Sequence, residues 1–209
     1  GLLVEAEEAF DKLHVRNVIS WNAVITAYVE YGYAEESLKI FKQMQIEGVS
    51  PNSGTFVCIL KACASVGSLK ICEEIDATVR KQGLLVQNNV LGNTLIDAYA
   101  KCGAPGKARE VFEQISMRNV VCWNALISGY AQNGFGDEAV NCYYKMQVEG
   151  VVPDIVTYIC SLKACARIGA IDHGEEIYAK FARFEGLQDN EIVMNTLIHM
   201  YAKCGLLLK

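Results

Sequence analysis

Four asparagines offer the clearest chemistry in the sequence, because each follows a β-branched aliphatic residue by three positions. The pairs are Ile19 and Asn22, Val90 and Asn93, Val121 and Asn124, and Ile192 and Asn195. Residues three apart lie on one face of a helix, so each amide is predicted to stand on an exposed face beside its aliphatic neighbour. An amide can donate and accept hydrogen bonds at the edge of a flat polar ring while the aliphatic groups sandwich that ring. A nucleobase fits this description.

The sequence contains no complete catalytic or metal-binding motif. His173, Gly174 and Glu175 match the H-x-E half of a zinc deaminase site, but no P-C-x-x-C follows them. His14 and His199 are isolated, and there is no nucleophile motif or phosphate-binding loop. We therefore predict no catalysis, no metal and no cofactor in this chain. Any chemistry would belong to a domain beyond Lys209 or to a recruited partner.

The cysteines follow an internal repeat rather than a metal-binding or disulfide pattern. The chain has nine, and three of them recur after 102 residues: Cys58, Cys63 and Cys102 become Cys160, Cys165 and Cys204. No C-x-x-C pair is present to hold a metal. A cysteine in a helical core behaves as a small apolar side chain. We therefore expect reduced, structural thiols and a reducing compartment.

The same shift of 102 residues aligns almost the whole chain with itself. VISWNAVITAYVEYG, from Val18, aligns with VVCWNALISGYAQNG, from Val120. Each block divides into repeat units of 35, 36 and 31 residues. The predicted units are 18–52, 53–88, 89–119, 120–154 and 155–190, with the end of an earlier unit in 1–17 and the start of another in 191–209. Such self-similarity is typical of a repeat architecture.

Within a unit, the apolar residues have helical spacing. One stripe falls on a first helix and another on a second; the residues are Trp21, Ile25 and Tyr28, then Leu38, Phe41 and Met44. Gly32 separates the two helices, and Gly48–Asn52 with its proline ends the second. Two such helices cannot bury their apolar faces alone, so neighbouring units must stack. We predict an all-α fold, a right-handed superhelical solenoid of helix-turn-helix repeats with a concave face.

The composition limits the partners that the chain can have. Hydrophobic residues make up 52% of it and prolines number only 3, which favours a folded protein. No apolar run is long enough to cross a bilayer, so no membrane partner is expected. The net charge of -5 argues against binding driven mainly by phosphates, but not against base contacts along a narrow strip. Gly1 is interpreted as a cut within a longer protein, so the sequence carries no targeting segment.

The units resemble pentatricopeptide repeat proteins of the plant organelle type, in which P, L and S variants alternate. The residues that carry the resemblance are WNA-I--Y---G in the 35-residue units, LKACA--G in the 36-residue units, and N-LI--YAKCG followed by A--VF--I--RN in the 31-residue units. The order of variants is P (18–52), L (53–88), S (89–119), P (120–154) and L (155–190), flanked by S-type pieces. A tetratricopeptide scaffold is disfavoured because its W-x2-L-G-x2-Y signature is missing.

The resemblance implies that position 5 of a unit reads one base together with the last residue of that unit. The pairs are Asn22 with Asn52, Asn93 with Asn119, and Asn124 with Asp154, while Asn195 lacks its partner. Position 2, which is Ile19, Val90, Val121 or Ile192, would sandwich the base. The L-type units have Val57 and Ile159 at position 5, with Asn88 and Asn190 last, and would act as spacers. By the family code, the RNA read 5′ to 3′ is roughly Y-N-Y-U-N-Y.

Other interpretations of these residues stay open at this stage. The four asparagines could be helix N-caps. The aromatic residues Trp21, Tyr28, Trp123 and Tyr130 lie on the apolar stripe, where core packing is favoured over base stacking. At position 13, Lys101, Arg167 and Lys203 are candidate phosphate contacts, or cations that favour helix C-termini.

Two functions follow from these expectations. The first is a sequence-selective single-stranded RNA-binding module, from a chloroplast or mitochondrial factor that selects sites for C-to-U RNA editing. The second is a protein-binding solenoid whose 36-residue units dock an accessory editing factor, with minor RNA contact. An enzyme is expected only outside this chain.

Overall fold

The structure is a computed structural model that describes residues 2–87, 89–183 and 190–205. It divides into two compact halves, Gly1–Ala104 and Pro105–Lys209, and the boundary falls inside the predicted unit 89–119. Every regular element among the described residues is helical. Asn88, predicted as the last residue of an L-type unit, lies outside the described residues, as do both chain ends.

The N-terminal half consists of paired helices whose first members stack on one another. It contains α1 (Leu2–Asp11), α2 (Val18–Glu30), α3 (Ala34–Ile46), α4 (Ser53–Val66), α5 (Leu69–Lys81), the single turn α6 (Leu84–Gln87) and α7 (Asn89–Lys101). Helices α2 and α3 form one hairpin, and α4 and α5 form the next. The first helices α2, α4 and α7 contact each other in sequence, while α3 and α5 cover them from one side.

The C-terminal half repeats this arrangement. It contains α8 (Pro105–Gln114), α9 (Val120–Gln132), α10 (Gly136–Val148), α11 (Ile155–Ile168), α12 (Ile171–Phe181) and α13 (Glu191–Lys203). Helices α9 and α10 form a hairpin, as do α11 and α12, and the first helices α9, α11 and α13 stack. Each first helix begins at the residue that opens a repeat unit in the sequence: Val18, Ser53, Asn89, Val120, Ile155 or Glu191.

The apolar stripes predicted from the sequence form the core. On α2, Trp21, Ile25 and Tyr28 are buried, and α3 buries its own stripe of Leu38, Phe41 and Met44. Trp21 packs edge-on against Phe10 at 4.7 Å between ring centroids, and Trp123 packs against Phe112 at 4.6 Å. The interpretation of these aromatic residues as core rather than stacking surface is confirmed, because their rings are enclosed within each half.

Turns between the helices use glycine where the backbone demands it. Gly32, predicted to separate α2 from α3, has a φ of +83°, and Gly48 after α3 has a φ of +75°. L side chains rarely adopt this left-handed region, so glycine ends these helices with little strain. The predicted breaks are confirmed at both positions.

The nine cysteines are free thiols, and no group of three metal-ligating side chains occurs among the described residues. Cys102 lies 3.7 Å from Cys72, sulfur to sulfur, and burial raises the pKa of the Cys102 thiol to about 12. Such a thiol stays protonated at neutral pH and packs as a small apolar group. Within the described part of the chain, no helix is long and apolar enough to cross a membrane.

The two halves fill one equivalent core position in opposite ways. Cys72 and Ala98 in the N-terminal half correspond to Gly174 and Met200 in the C-terminal half, and Cys72, Ala98 and Met200 are all fully enclosed. A Cβ added at Gly174 would lie 2.1 Å from the sulfur of Met200. A small residue on one helix therefore permits a large residue on the other.

This exchange predicts strong coupling between Gly174→Cys and Met200→Ala. Met200→Ala leaves a cavity and is expected to lower the free energy of unfolding by about 2–5 kcal/mol. Gly174→Cys overfills the site and is expected to lower it by about 1–3 kcal/mol. The double variant copies the packing of Cys72 and Ala98, so its loss should fall short of the sum by at least about 1 kcal/mol. Urea denaturation of the four proteins measures the coupling, and strictly additive losses would contradict the exchange.

Candidate functional site

The aliphatic residues predicted to sandwich a flat ring all project from the protein surface. Ile19, Val90, Val121 and Ile192 are between 53% and 74% exposed, although each belongs to a helix that buries other large apolar side chains. Exposure of a single aliphatic side chain needs no explanation, but its recurrence at the second residue of four first helices does. These residues form a repeated apolar surface beside the predicted base-reading amides.

In the N-terminal half, Asn22 and Asn52 already contact each other. The Nδ2 of Asn22 on α2 donates to the Oδ1 of Asn52 at 3.1 Å. Asn52 is the N-cap of α4, and the same Oδ1 accepts the backbone N–H of Thr55 at 3.0 Å. Thr55 in turn donates its hydroxyl to the Oδ1 of Asn22 at 2.6 Å. The two residues predicted to read one base together are thus joined through the start of the next first helix.

The C-terminal half repeats this network with a carboxylate in place of one amide. Asn124 on α9 donates to the Oδ1 of Asp154 at 2.9 Å, and Thr157 donates to the Oδ1 of Asn124 at 2.6 Å. Asp154 is the N-cap of α11. An ionised carboxylate only accepts hydrogen bonds, whereas the amide of Asn52 can also donate. The two networks therefore share a geometry but present different chemistry.

Asn124 is only 8% exposed, whereas the sequence predicted an exposed amide. Asn22 is half-buried at the equivalent place. The difference in exposure between Asn22 and Asn124 correlates with the second residue of the next helix, which is Gly54 in one half and Val156 in the other. A Cβ at Gly54 would lie 3.4 Å from the Nδ2 of Asn22, so a valine there covers the amide. A ligand must reach Asn124 beside Val156, itself half exposed.

The pKa of the Asp154 carboxyl lies below its ordinary value. Burial raises this pKa, but hydrogen bonds from the backbone N–H of Thr157, the amide of Asn124 and the hydroxyl of Thr157 outweigh burial. These groups stabilise the charged form, because each of them donates to the carboxylate. Asp154 is therefore an anion at neutral pH and an acceptor for whatever lies beside it.

The alternative that the four asparagines are helix N-caps is wrong. Asn22, Asn93, Asn124 and Asn195 lie one turn inside α2, α7, α9 and α13. The caps are instead the residues that precede the helices: Asn17, Asn52, Asn119, Asp154 and Asn190. The last residue of a unit thus caps the next helix while its neighbour at position 5 is free of that role.

The remaining two asparagines differ from this pattern. The Oδ1 of Asn93 is buried and has no hydrogen-bond partner among the described residues. Its predicted partner, Asn119, accepts the backbone N–H of Cys122 in the C-terminal half, and the pairing of the two stays a prediction. Asn195 is exposed on α13.

A groove on the first helices α11 and α13 brings several predicted residues together. It encloses about 400 Å³ and is lined by Lys163, Arg167, Ile192, Asn195, Thr196 and His199. The residue predicted to sandwich a base, the residue predicted to read it and a candidate phosphate contact therefore share one surface. The sequence did not single out Lys163, although its recurrence as Lys61 in the LKACA segment was available as a signal.

The three candidate phosphate contacts have different surroundings. Lys101 forms an ion pair with Asp97 at 2.8 Å, one turn back on α7. Arg167 donates to the backbone carbonyl of Gln132 at 3.0 Å and so caps the C-terminal end of α9. Lys203 is exposed at the end of α13. Arg167 therefore stabilises a helix C-terminus, one of the two roles considered for it from the sequence, and it also lines the groove.

Comparison with known proteins identifies the repeats. Residues 16–65 and 118–167 match the model of the PPR repeat family, and residues 93–120 and 192–209 match that of the PPR repeat. A chloroplastic pentatricopeptide repeat-containing protein of Arabidopsis thaliana is 37% identical over 205 residues, covering 98% of this chain and 33% of that protein. A putative mitochondrial one from the same plant is 35% identical over 208 residues, covering 97% and 32%. The chain spans about a third of the length of these two relatives.

A solved structure shows the same helical fold. The crystal structure of the pentatricopeptide repeat protein PPR10 in complex with an 18-nt psaJ RNA element matches with a TM-score of 0.80 and 21% identity, over 97% of this chain and 30% of that one. The crystal structure of PPR10 from maize matches with a TM-score of 0.69 and 24% identity, over 96% of this chain and 30% of that one. The prediction of an all-α solenoid of helix-turn-helix repeats is confirmed by this likeness.

The depressed pKa of Asp154 predicts how Asp154→Asn responds to pH. A carboxylate with a lowered pKa stabilises the fold above its unfolded pKa, and this contribution is lost as the pH falls through the folded pKa. The free energy of unfolding of the wild type minus that of Asp154→Asn should therefore be constant from about pH 8 to pH 5 and shrink below about pH 4. Urea denaturation at several pH values measures it.

Asn52→Ala provides the matched control, because it removes a cap without a titrating group. It should lower the free energy of unfolding by about 1 kcal/mol at every pH. A difference for Asp154→Asn that stays flat down to pH 3, or grows on acidification, would contradict the stabilised carboxylate.

Proposed function

This chain belongs to the pentatricopeptide repeat family, and from that membership we propose that it binds single-stranded RNA with one nucleobase facing each repeat unit. The observation that carries the proposal is the pair of preassembled polar networks, Asn22 with Asn52 and Asn124 with Asp154. Each lies beside an exposed aliphatic residue at the start of a helix, Ile19 or Val121. A flat ring can stack on the aliphatic group while its polar edge meets the network.

The chemistry of the two networks supports different preferences. Uracil carries an N3–H donor, and the carboxylate of Asp154 is an acceptor, so the unit 120–154 favours uracil. Cytosine has an acceptor at N3, to which the amide of Asn52 can donate, so the unit 18–52 accepts either pyrimidine. Asn93 with Asn119, and Asn195 in the last unit, extend the pattern to further pyrimidines. The proposed target, 5′ to 3′, is roughly Y-N-Y-U-N-Y.

A small number of cations are expected to contact the phosphates of the RNA backbone. Lys163 and Arg167 in the groove of α11 and α13 are suited to phosphates, and Lys101 and Lys203 extend the set. The net charge of -5 implies few such contacts. Affinity should therefore come mainly from stacking and base edges, with a weaker salt dependence than for a basic RNA-binding protein.

The units 53–88 and 155–190 are proposed to be spacers that read no base. Their position-5 residues, Val57 and Ile159, are aliphatic and half-buried, so they cannot hydrogen-bond a base edge. These units are available to an accessory protein. A protein-docking role with minor RNA contact is therefore the second function that the RNA-binding measurements below test.

The relatives support an organellar role. The two described above carry chloroplastic and mitochondrial in their names, and PPR10 was crystallised with an RNA element. We propose that the complete protein acts in a chloroplast or mitochondrion in the selection of sites for C-to-U RNA editing. Because this chain spans about a third of its relatives, its repeats would read only part of the target.

Asn124→Thr is expected to change the base preferred by one unit. With Asp154 retained, the family code implies a shift at the fourth nucleotide of Y-N-Y-U-N-Y from U towards G. Gel-shift titrations with four RNAs that differ only at this nucleotide measure it. A change at one base contact is expected to alter the ratio of affinities by about tenfold.

Ser161→Ala serves as the control, because Ser161 is fully buried and its hydroxyl has no hydrogen-bond partner among the described residues. Its base preference should equal that of the wild type. If Asn124→Thr leaves the preference at the fourth nucleotide unchanged, the assigned register is wrong. Equal affinity of the wild type for all RNAs, or no binding, would favour the protein-docking function.

A further inference from the structure

Two buried threonines govern the orientation of the base-reading amides. Thr55 and Thr157 are the third residues of α4 and α11, and both are fully enclosed. Each donates its hydroxyl to the Oδ1 of the asparagine at position 5 of the preceding unit, and both distances are 2.6 Å. A buried polar group is normally hydrogen-bonded, so this bond is difficult to exchange for water.

The direction of these bonds is settled by the rest of the network. The hydroxyl oxygen of Thr157 accepts the backbone N–H of Asp154 at 3.1 Å, and that of Thr55 accepts the N–H of Asn52 at 3.1 Å. Each hydroxyl shares its single proton between the Oδ1 of the last residue, at 3.0 or 3.1 Å, and the Oδ1 of the asparagine, which is nearer at 2.6 Å. The asparagine turns its oxygen towards the hydroxyl, because its NH2 group donates to the last residue of the unit. The NH2 group then points to the last residue of the unit and to the ligand side. In a flipped amide, the NH2 group would face the hydroxyl hydrogen of the threonine. Both groups are donors, so the hydrogen bond between them would be lost.

In the sequence, the residue type at position 5 of a unit correlates with the type of the third residue of the following unit. Where position 5 is an asparagine, the third residue of the following unit carries a hydroxyl or a thiol: Thr55, Thr157 or Cys122. Where position 5 is Val57 or Ile159, the third residue is Leu91 or Val193. A hydroxyl or thiol thus accompanies asparagine at these two positions, and aliphatic residues accompany each other, although the thiol of Cys122 bonds Asn119 at 3.3 Å. This pattern is expected if the third residue serves the amide and not only its own helix.

We propose that Thr157, and Thr55 in the same way, is a positioning residue for RNA recognition, which fixes the amide of the preceding unit with its NH2 group towards the base. The proposal rests on the proposed RNA-binding function and adds a third determinant to each base-reading pair. The inward oxygen makes Asn124 a donor towards pyrimidine O2. Without the hydroxyl, only the last residue of the unit orients the amide, so the flipped form, which offers its oxygen to the amino group of adenine, becomes more populated.

Thr157→Val tests the proposal, because it removes the hydroxyl and keeps the branched shape. In titrations with RNAs that carry U or A at the fourth nucleotide, the preference for U over A is expected to fall at least about fivefold, the value of one hydrogen bond. Thr157→Ser keeps the hydroxyl and should retain the wild-type ratio. Ser161→Ala removes a buried hydroxyl from the same helix and should also retain it. Thermal melting of each variant reports its stability separately.

A second measurement does not depend on RNA. In the free protein, the side-chain NH2 group of Asn124 should give one pair of sharp NMR signals in the wild type, in Thr157→Ser and in Ser161→Ala. In Thr157→Val the pair should broaden or double as the amide exchanges between its two orientations. If Thr157→Val does not fold, Thr157→Cys replaces it, since the chain itself has Cys122 at the equivalent position; a thiol is a weaker donor, so a smaller loss of preference is expected.

The outcomes separate the positioning role from RNA binding itself. A fall in the U-over-A preference for Thr157→Val, with the preference unchanged in Thr157→Ser and Ser161→Ala, supports the proposal. An unchanged ratio in a folded Thr157→Val overturns the positioning role and leaves the proposed function in place. If the wild type shows no base preference, the proposed function fails, and the positioning role then stands or falls on the NMR signals of Asn124: unchanged signals in Thr157→Val overturn it.

Discussion

The start of each first helix is the point on which the candidate site depends. A helix leaves its first backbone N–H groups without partners, and the last residue of the preceding unit supplies an acceptor for one of them. In Asn52 and Asp154 the same oxygen also accepts the amide of Asn22 or Asn124, so capping and ligand recognition share an atom. Folding of the helix therefore positions the polar network before a ligand arrives. Such pre-organisation reduces the ordering cost of binding.

The acidic composition does not describe the surface at the site. Several cations form ion pairs within the fold. Arg16 pairs with Asp11 and Glu47, and its guanidinium stacks 4.5 Å above the ring of Phe10. Arg118 repeats the pairing with Glu149 in the other half. In the groove of α11 and α13, by contrast, Arg167 bonds a carbonyl and keeps its charge uncompensated by any carboxylate in the described residues. Local charge, and not the net value, governs what a groove attracts.

The sequence predicted the features that depend on periodicity and failed where a tertiary contact decides. Helical spacing located the stripes of α2 and α3, and glycines located their ends, because both follow from local geometry. The burial of Asn124 was not predictable from its own unit, since it depends on Val156 in the next one. The role of Thr157 was not predictable for the same reason, because the partner of its hydroxyl lies 33 residues away. Register between units, not propensity within them, sets these contacts.

Comparison of the two halves distinguishes the contacts that stay the same at the site from the core and cap residues that vary. The core changes between them, with Cys72 and Ala98 replaced by Gly174 and Met200, and the cap changes from an amide to a carboxylate. The bond from threonine to asparagine keeps the same length of 2.6 Å through both changes. The orientation of the amide is therefore a local property of three residues drawn from two units. It follows that a unit is not an independent reader: transplanting one unit without the first turn of the next would carry over the amide but not the group that aims it.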